Sequence, residues 1–236
     1  MTEILRHAYA AGAVSDEPLY GSRARREAEA NGDEAPGPPN GPQERRGRLI
    51  DAFTKIAAER GYEQITIEEI SSSAGLPRAS FFEYFDSKRQ CLAAAYDAFF
   101  DRLTAQAKLA CEGEESWPLG VRAAIAASLE FLLETASRAR LFMVEGVAGG
   151  LPLFERRLAL TARLAEMLED GRRRVPPTSD LPASTELILV GGVLARVAEH
   201  LLAEEPGALL DLEPEVVELM LTPYVGVGEA RRVAFG

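Results

Sequence analysis

The stretch that most constrains this chain runs from Thr66 to Lys88, TIEEISSSAGLPRASFFEYFDSK. Thr66 stands three residues before Glu69, the spacing at which the two side chains cap each other's backbone N–H groups at a helix start. Ile67, Ile70 and Ala74 then recur at helical spacing, and Gly75 supplies a left-handed stop. Pro77 suits the first turn of a second helix, where its missing N–H has no partner to lose. Phe81 and Phe85, four apart, give that helix one apolar face, and Ser87 with Gln90 repeats the capping spacing ahead of a third, longer helix. Helix, glycine turn, helix is the pattern of a helix-turn-helix, whose second helix enters the DNA major groove.

Charge sharpens the pattern. A helix N-terminus carries partial positive charge, so a cation there costs about 0.3–1 kcal/mol unless an anion approaches. Arg78 opens the second helix, Lys88 with Arg89 the third, and Arg45, Arg46 and Arg48 the start of an earlier one. Each alone reads as a solvated basic residue. Three together around a helix-turn-helix point to a phosphate backbone.

The run from Arg46 to Leu92, RGRLIDAFTKIAAERGYEQITIEEISSSAGLPRASFFEYFDSKRQCL, resembles the DNA-binding domain of the TetR (tetracycline repressor) family of bacterial regulators. The resemblance rests on the order of Gly61, Thr66, Ile70, Ala74, Gly75, Phe85, Ser87 and Lys88. It implies that Thr66 contacts a phosphate and that Arg78, Ala79 and Ser80 face base edges. Phe82 and Tyr84 would then lie against the backbone and thymine methyls, and Lys88 would hold a phosphate. Pro77 and Glu83 depart from the usual pattern, and the carboxylate of Glu83 is expected to turn away from DNA.

The resemblance covers about a fifth of the chain, and the rest must be read directly. At 236 residues there is room for one small and one larger domain. Residues 1–43 read as a flexible extension, rich in Pro and Gly toward its end and carrying Arg23, Arg25 and Arg26. Residues 44–91 form the helix-turn-helix domain, with Leu49, Ile50, Phe53, Ile56 and Ala57 on one stripe of its first helix, which presents Arg46 and Arg48 to a phosphate. Phe53, Phe81 and Phe85 are the expected centre of that domain. Phe82 sits one residue off the apolar face, which suits a contact with DNA. The net charge of −11 lies outside this segment, which holds as many acidic as basic residues. For a DNA binder the clustering of charge matters more than its sum.

From Lys88 the pattern is helical almost throughout, with helices expected from 88 to about 111, 119–135, 137–148, 151–174, 184–203 and 213–225. The expected fold is all-α: a three-helix DNA-binding head followed by a helical ligand-binding and dimerisation domain over 92–236. The eighth helix is apolar on several sides and contains Gly191 and Gly192; with Val216, Val217, Leu219 and Met220 on the last it predicts a patch that a second subunit covers. An effector pocket is expected among the helices over 88–174, lined by Phe99, Phe100, Leu103, Phe131, Phe142, Met143 and Glu145, with Trp117 a lid or a plug for the loop before it.

The expected partners are a palindromic double-stranded operator, a small-molecule effector and a second copy of the chain. The implied function is a homodimeric repressor released by a small, largely apolar ligand. No glycine-rich phosphate loop or metal-ligand spacing occurs, so neither an enzyme nor a cofactor is expected. No run of about eighteen apolar residues occurs, and no basic-then-apolar leader opens the chain, which predicts a cytoplasmic protein. Two other classes stay open: a helical ligand carrier or scaffold without DNA function, and a regulator sensing oxidants through Cys91 or Cys111.

Overall fold

The computed structural model describes residues 41–144, 151–173, 180–203 and 206–236. The extension with its arginine triplet lies outside them except for its last residues, as do Glu145 and the loop prolines Pro176 and Pro177. Among the described residues there is no strand. The helices are α1 Pro42–Arg60, α2 Ile67–Ser73, α3 Arg78–Phe82, α4 Lys88–Glu112 and α5 Trp117–Glu134. They continue with α6 Ala136–Met143, α7 Leu151–Arg172, α8 Thr185–Leu202 and α9 Glu213–Phe235. Short 3-10 turns precede α2 and α9. All but the opening turn of α1 belongs to one compact unit, Arg46–Gly236.

The local signals around α2 are realised. The Thr66 hydroxyl accepts from the Glu69 backbone N–H, and the Glu69 carboxylate accepts from the Thr66 N–H at 2.9 Å. Burial pushes the Glu69 carboxyl up, but the Thr66 hydrogen bonds and the Arg60 guanidinium outweigh it and hold the group below the usual range. Beyond the helix, Gly75 takes φ 68°, Leu76 N–H donates to Ser71 and Gly75 N–H to Ser72, the paired closure of a left-handed helix end. Pro77 is the N-cap of α3 rather than its first helical residue. Phe53, Phe81 and Phe85 are fully buried, with the Phe81 and Phe85 rings 5.5 Å apart.

α4 ties this head to the rest. Its 25 residues span about 38 Å at 1.5 Å per residue. Cys91, Leu92 and Ala95 are buried near its start, and Phe99, Phe100 and Leu103 further along. The domain boundary expected at residue 91 therefore falls inside a continuous helix. α4 and α5 approach closely where a Cβ on Gly120 would meet Cys111 Sγ at 2.9 Å.

The last helix differs most from expectation. It does not end at Val225 but breaks at Gly226, φ 78° and ψ 160°, and resumes to Phe235. That backbone region is essentially glycine's alone. The second arm folds back on the first: Arg231 pairs with Glu218 at 2.9 Å, and Arg122 of α5 bonds both Glu213 at the start and the Val233 carbonyl near the end. Trp117 is neither lid nor loop plug. As the first residue of α5 it packs edge-on to the buried Tyr224, ring centres 5.1 Å apart, whose hydroxyl donates to the buried Glu186 carboxylate at 2.9 Å.

Candidate nucleic-acid interface and effector cavity

The outer face of α3 presents Arg78, Ala79 and Phe82, all exposed. Phe82 is 47% exposed although the neighbouring Phe81 is fully buried. The Arg78 guanidinium lies 5.5 Å from the centre of the Phe82 ring and 3.3 Å from the Glu68 carboxylate of α2. Arg78 is thus a cation held by a carboxylate on one side and an aromatic face on the other, with 57% of its side chain still open to solvent. Sequence reasoning did not assign Glu68 this part. The signal that would have found it is the ten-residue step from α2 to the first position of α3, which needs the turn geometry to interpret.

Thr66 is exposed at the N-terminus of α2, on its cap. Arg46 is exposed and its guanidinium stacks 5.4 Å from the Phe85 ring centre, while Arg48 and Tyr84 are half-buried. The helix of Arg45, Arg46 and Arg48 begins at Pro42, and Glu44 places a carboxylate in its first turn ahead of them. Two expectations need correction. Ser80, expected at a base edge, is buried on the inner side of α3. Lys88 does not reach outward. Its ammonium donates to the Tyr62 carbonyl at 2.9 Å and the Ile65 carbonyl at 3.0 Å, 4.4 Å from the Tyr62 ring centre. Burial lowers its pKa, partly offset by Glu63 and Glu69.

Lys88 therefore ties the start of α4 to the turn before α2. Replacing it with Met leaves two carbonyls without their donor, and the expected cost is about 1–3 kcal/mol of stability. The salt dependence of DNA binding should stay the same, instead of flattening by about one unit as it would for a phosphate contact. Urea unfolding and a salt series on the variant check both outcomes.

The aromatic residues expected to line an effector site do converge. Phe99 lies 5.2 Å from Phe131 and 5.1 Å from Phe142 between ring centres, and Leu103 is buried beside them. Packing fills most of that volume. The space left is a cavity of about 10 Å³ bounded by Tyr96, Phe100, Phe142, Met143, Arg157, Leu160 and Leu194, room for about one water. Phe100, Phe142 and Met143, expected to line the pocket, border it; Phe99, Leu103 and Phe131 are core neighbours, and Glu145 lies outside the described residues.

Ion pairs join α7 to α4 along this seam. Arg156 bonds both Asp97 oxygens at 3.1 Å, and Arg163 bonds Asp101 at 2.8 Å and Thr104 at 3.3 Å. Cys91, by contrast, is no poised redox centre. It is buried, and burial pushes its thiol up to about 12 against the opposing charge of Arg46, so almost none is thiolate near neutrality. No group of His, Cys, Asp and Glu among the described residues is arranged to hold a metal, and no described helix is long and apolar enough to cross a membrane.

The family pattern for bacterial regulatory proteins of the tetR family matches residues 49–95, the segment that builds this head. The transcriptional regulator AcuR of Cereibacter sphaeroides is 37% identical over 89 residues, 30% of this chain and 41% of that protein. The head is of the TetR family. Its matches span less than half the length of the curated relatives. The likeness of fold extends further than the sequence identity. The fatty acid degradation regulator FadR from Bacillus halodurans superposes with a TM-score of 0.66 at 20% identity, over 77% of this chain and 96% of that one. FadR from Bacillus subtilis in complex with stearoyl-CoA superposes with a TM-score of 0.64 at 16% identity, over 76% and 98%. These two share the fold over about three quarters of this chain.

Proposed function

We propose that this TetR-family member is a cytoplasmic, homodimeric DNA-binding transcription regulator, a repressor released from a palindromic operator by a small, largely apolar ligand. The observation that carries the reading is the outer face of α3, where Arg78 is braced by Glu68 and Phe82 on a helix set between the Gly75 turn and the Ser87 cap of α4. A guanidinium fixed in direction is what bidentate readout of a guanine edge requires. Thr66 and Arg46 flank it as phosphate contacts.

The dimer surface is the outer face of α8 with the first arm of α9. Leu187 and Ile188 of α8 and Leu219 of α9 stand exposed, and an open groove of about 560 Å³ is lined by Leu189, Leu219 and, from the second arm, Phe235. Gly191 and Gly192 cost about 1 kcal/mol each relative to alanine, yet a Cβ on either would meet nothing of this subunit within 4 Å. Close approach of a second copy gives them a purpose. Two recognition helices then read half-sites about 34–36 Å apart.

Effector binding in the cavity between α4, α6, α7 and α8 would push on α4, and through it on the head. A hundredfold loss of DNA affinity needs about 2.7 kcal/mol of preference for the released state. The stearoyl-CoA held by the Bacillus subtilis FadR supports an apolar ligand body.

The test is binding of the purified protein to its own upstream DNA and to a random duplex, read by fluorescence anisotropy across a salt series. Selective binding with the stoichiometry of a dimer, steepening as salt falls, supports the reading. Flat or absent binding to any duplex, including one selected from a random pool, would return the protein to a ligand carrier or scaffold.

A further inference from the structure

Three neighbouring arginines on α7 have different fates. Arg156 and Arg163 are engaged by aspartates of α4. Arg157, between them, turns instead to the small cavity, which is otherwise walled by aromatic and aliphatic side chains. Among the described residues its guanidinium has no carboxylate partner. A half-buried cation beside apolar walls is costly unless it is paired. Tyr96 borders the same cavity and supplies a phenolic hydroxyl; burial raises that group's pKa to about 12, and the charge of Arg157 opposes the rise.

We propose that Arg157 is the anion anchor of the effector site, and that the effector is an amphiphilic monocarboxylate. Its carboxylate pairs with the Arg157 fork, and its apolar body opens the 10 Å³ cavity by wedging among Tyr96, Phe100 and Phe142. The inference rests on the effector reading above and narrows it from an apolar ligand to an acid with an apolar body. The anchor also sits where a ligand has leverage. Tyr96 directly precedes Asp97, so a carboxylate drawn to Arg157 competes at the seam where Arg156 and Arg163 hold α4. Guanidinium and carboxylate match as two parallel charge-assisted bonds, which a neutral hydroxyl cannot reproduce.

Binding is measured on the full chain without DNA, by calorimetry and thermal shift. The pairs are decanoate against decanol and phenylacetate against 2-phenylethanol, each pair sharing a body of similar size. At least one acid should bind about tenfold or more tightly than its alcohol. Arg157→Gln should erase that advantage while the circular dichroism spectrum stays unchanged, and Arg157→Lys should restore part of it. Equal binding of acid and alcohol, no binding of either acid, or an unchanged preference in Arg157→Gln would overturn the proposal. Acids that bind through Arg157 to a protein that holds no DNA would leave the anchor standing and refute the regulator reading alone.

Discussion

Arg78→Ala is expected to lower affinity for the operator steeply while leaving binding to random duplex DNA nearly unchanged. A good bidentate contact to a base discriminates by about 1–3 kcal/mol. A dimer makes two, so the loss at a palindromic site should be about 2–6 kcal/mol if the half-sites contribute independently. Stability should barely move. The Arg78–Glu68 pair is exposed on both sides, 57% and 71% of the side chains, and such pairs are worth about 0–1 kcal/mol. Glu68 acts instead by restricting where the guanidinium points, helped by the Phe82 ring at 5.5 Å. Glu68→Gln should therefore weaken discrimination in the same direction but by less, because the aromatic shelf remains. Anisotropy titrations of both variants on operator and random duplex, at one fixed salt concentration, provide the check. Equal losses on the two DNAs would mean that Arg78 contacts only phosphate.

How much of this was legible in the sequence depends on the range of the interactions. The cap at Thr66 and Glu69, the turn at Gly75 and the cap at Ser87 involve partners within a few residues, so spacing alone announces them, and the structure makes each of them. The aromatic centre of the head follows from helical spacing in the same way. Lys88 is different. Its partners lie 26 and 23 residues back, and only the packed head brings those carbonyls beneath the start of α4. Ser80 sits in a short helix of five residues, where one residue of rotation decides between groove and core. The fold-back after Gly226 lies beyond the end expected for the last helix at 225. The arm is kept helical by tertiary partners, Arg122 and Glu218, distant in sequence. The proposed effector site is legible as a convergence of aromatic rings. The near-closure of its cavity is a matter of packing volume, which spacing does not encode. Arg157 escaped notice for a similar reason: beside Arg156 and near Arg163 it looks like one more basic residue on a solvated helix face.

The adjacent phenylalanines of α3 give the sharpest separation of fold from function. Phe81→Ala removes a fully buried ring that lies 5.5 Å from Phe85 in the core of the head. Large-to-small changes of this kind cost about 3–5 kcal/mol, the loss of transfer free energy plus the cavity left behind. Against a total stability of about 5–15 kcal/mol, that is enough to leave the head partly unfolded. Operator and random DNA binding should then fall together, because the whole surface is lost rather than one contact. Phe82→Ala removes a ring that is already 47% exposed. Its cost in stability should be about 1 kcal/mol or less, while selective binding falls with the loss of Arg78's shelf. Urea unfolding followed by circular dichroism, alongside titrations on both DNAs, measures the contrast. If Phe82→Ala proved the more destabilising of the two, α3 would have to be rotated about its axis relative to this structure, and the assignment of Arg78 to the groove would fall with it.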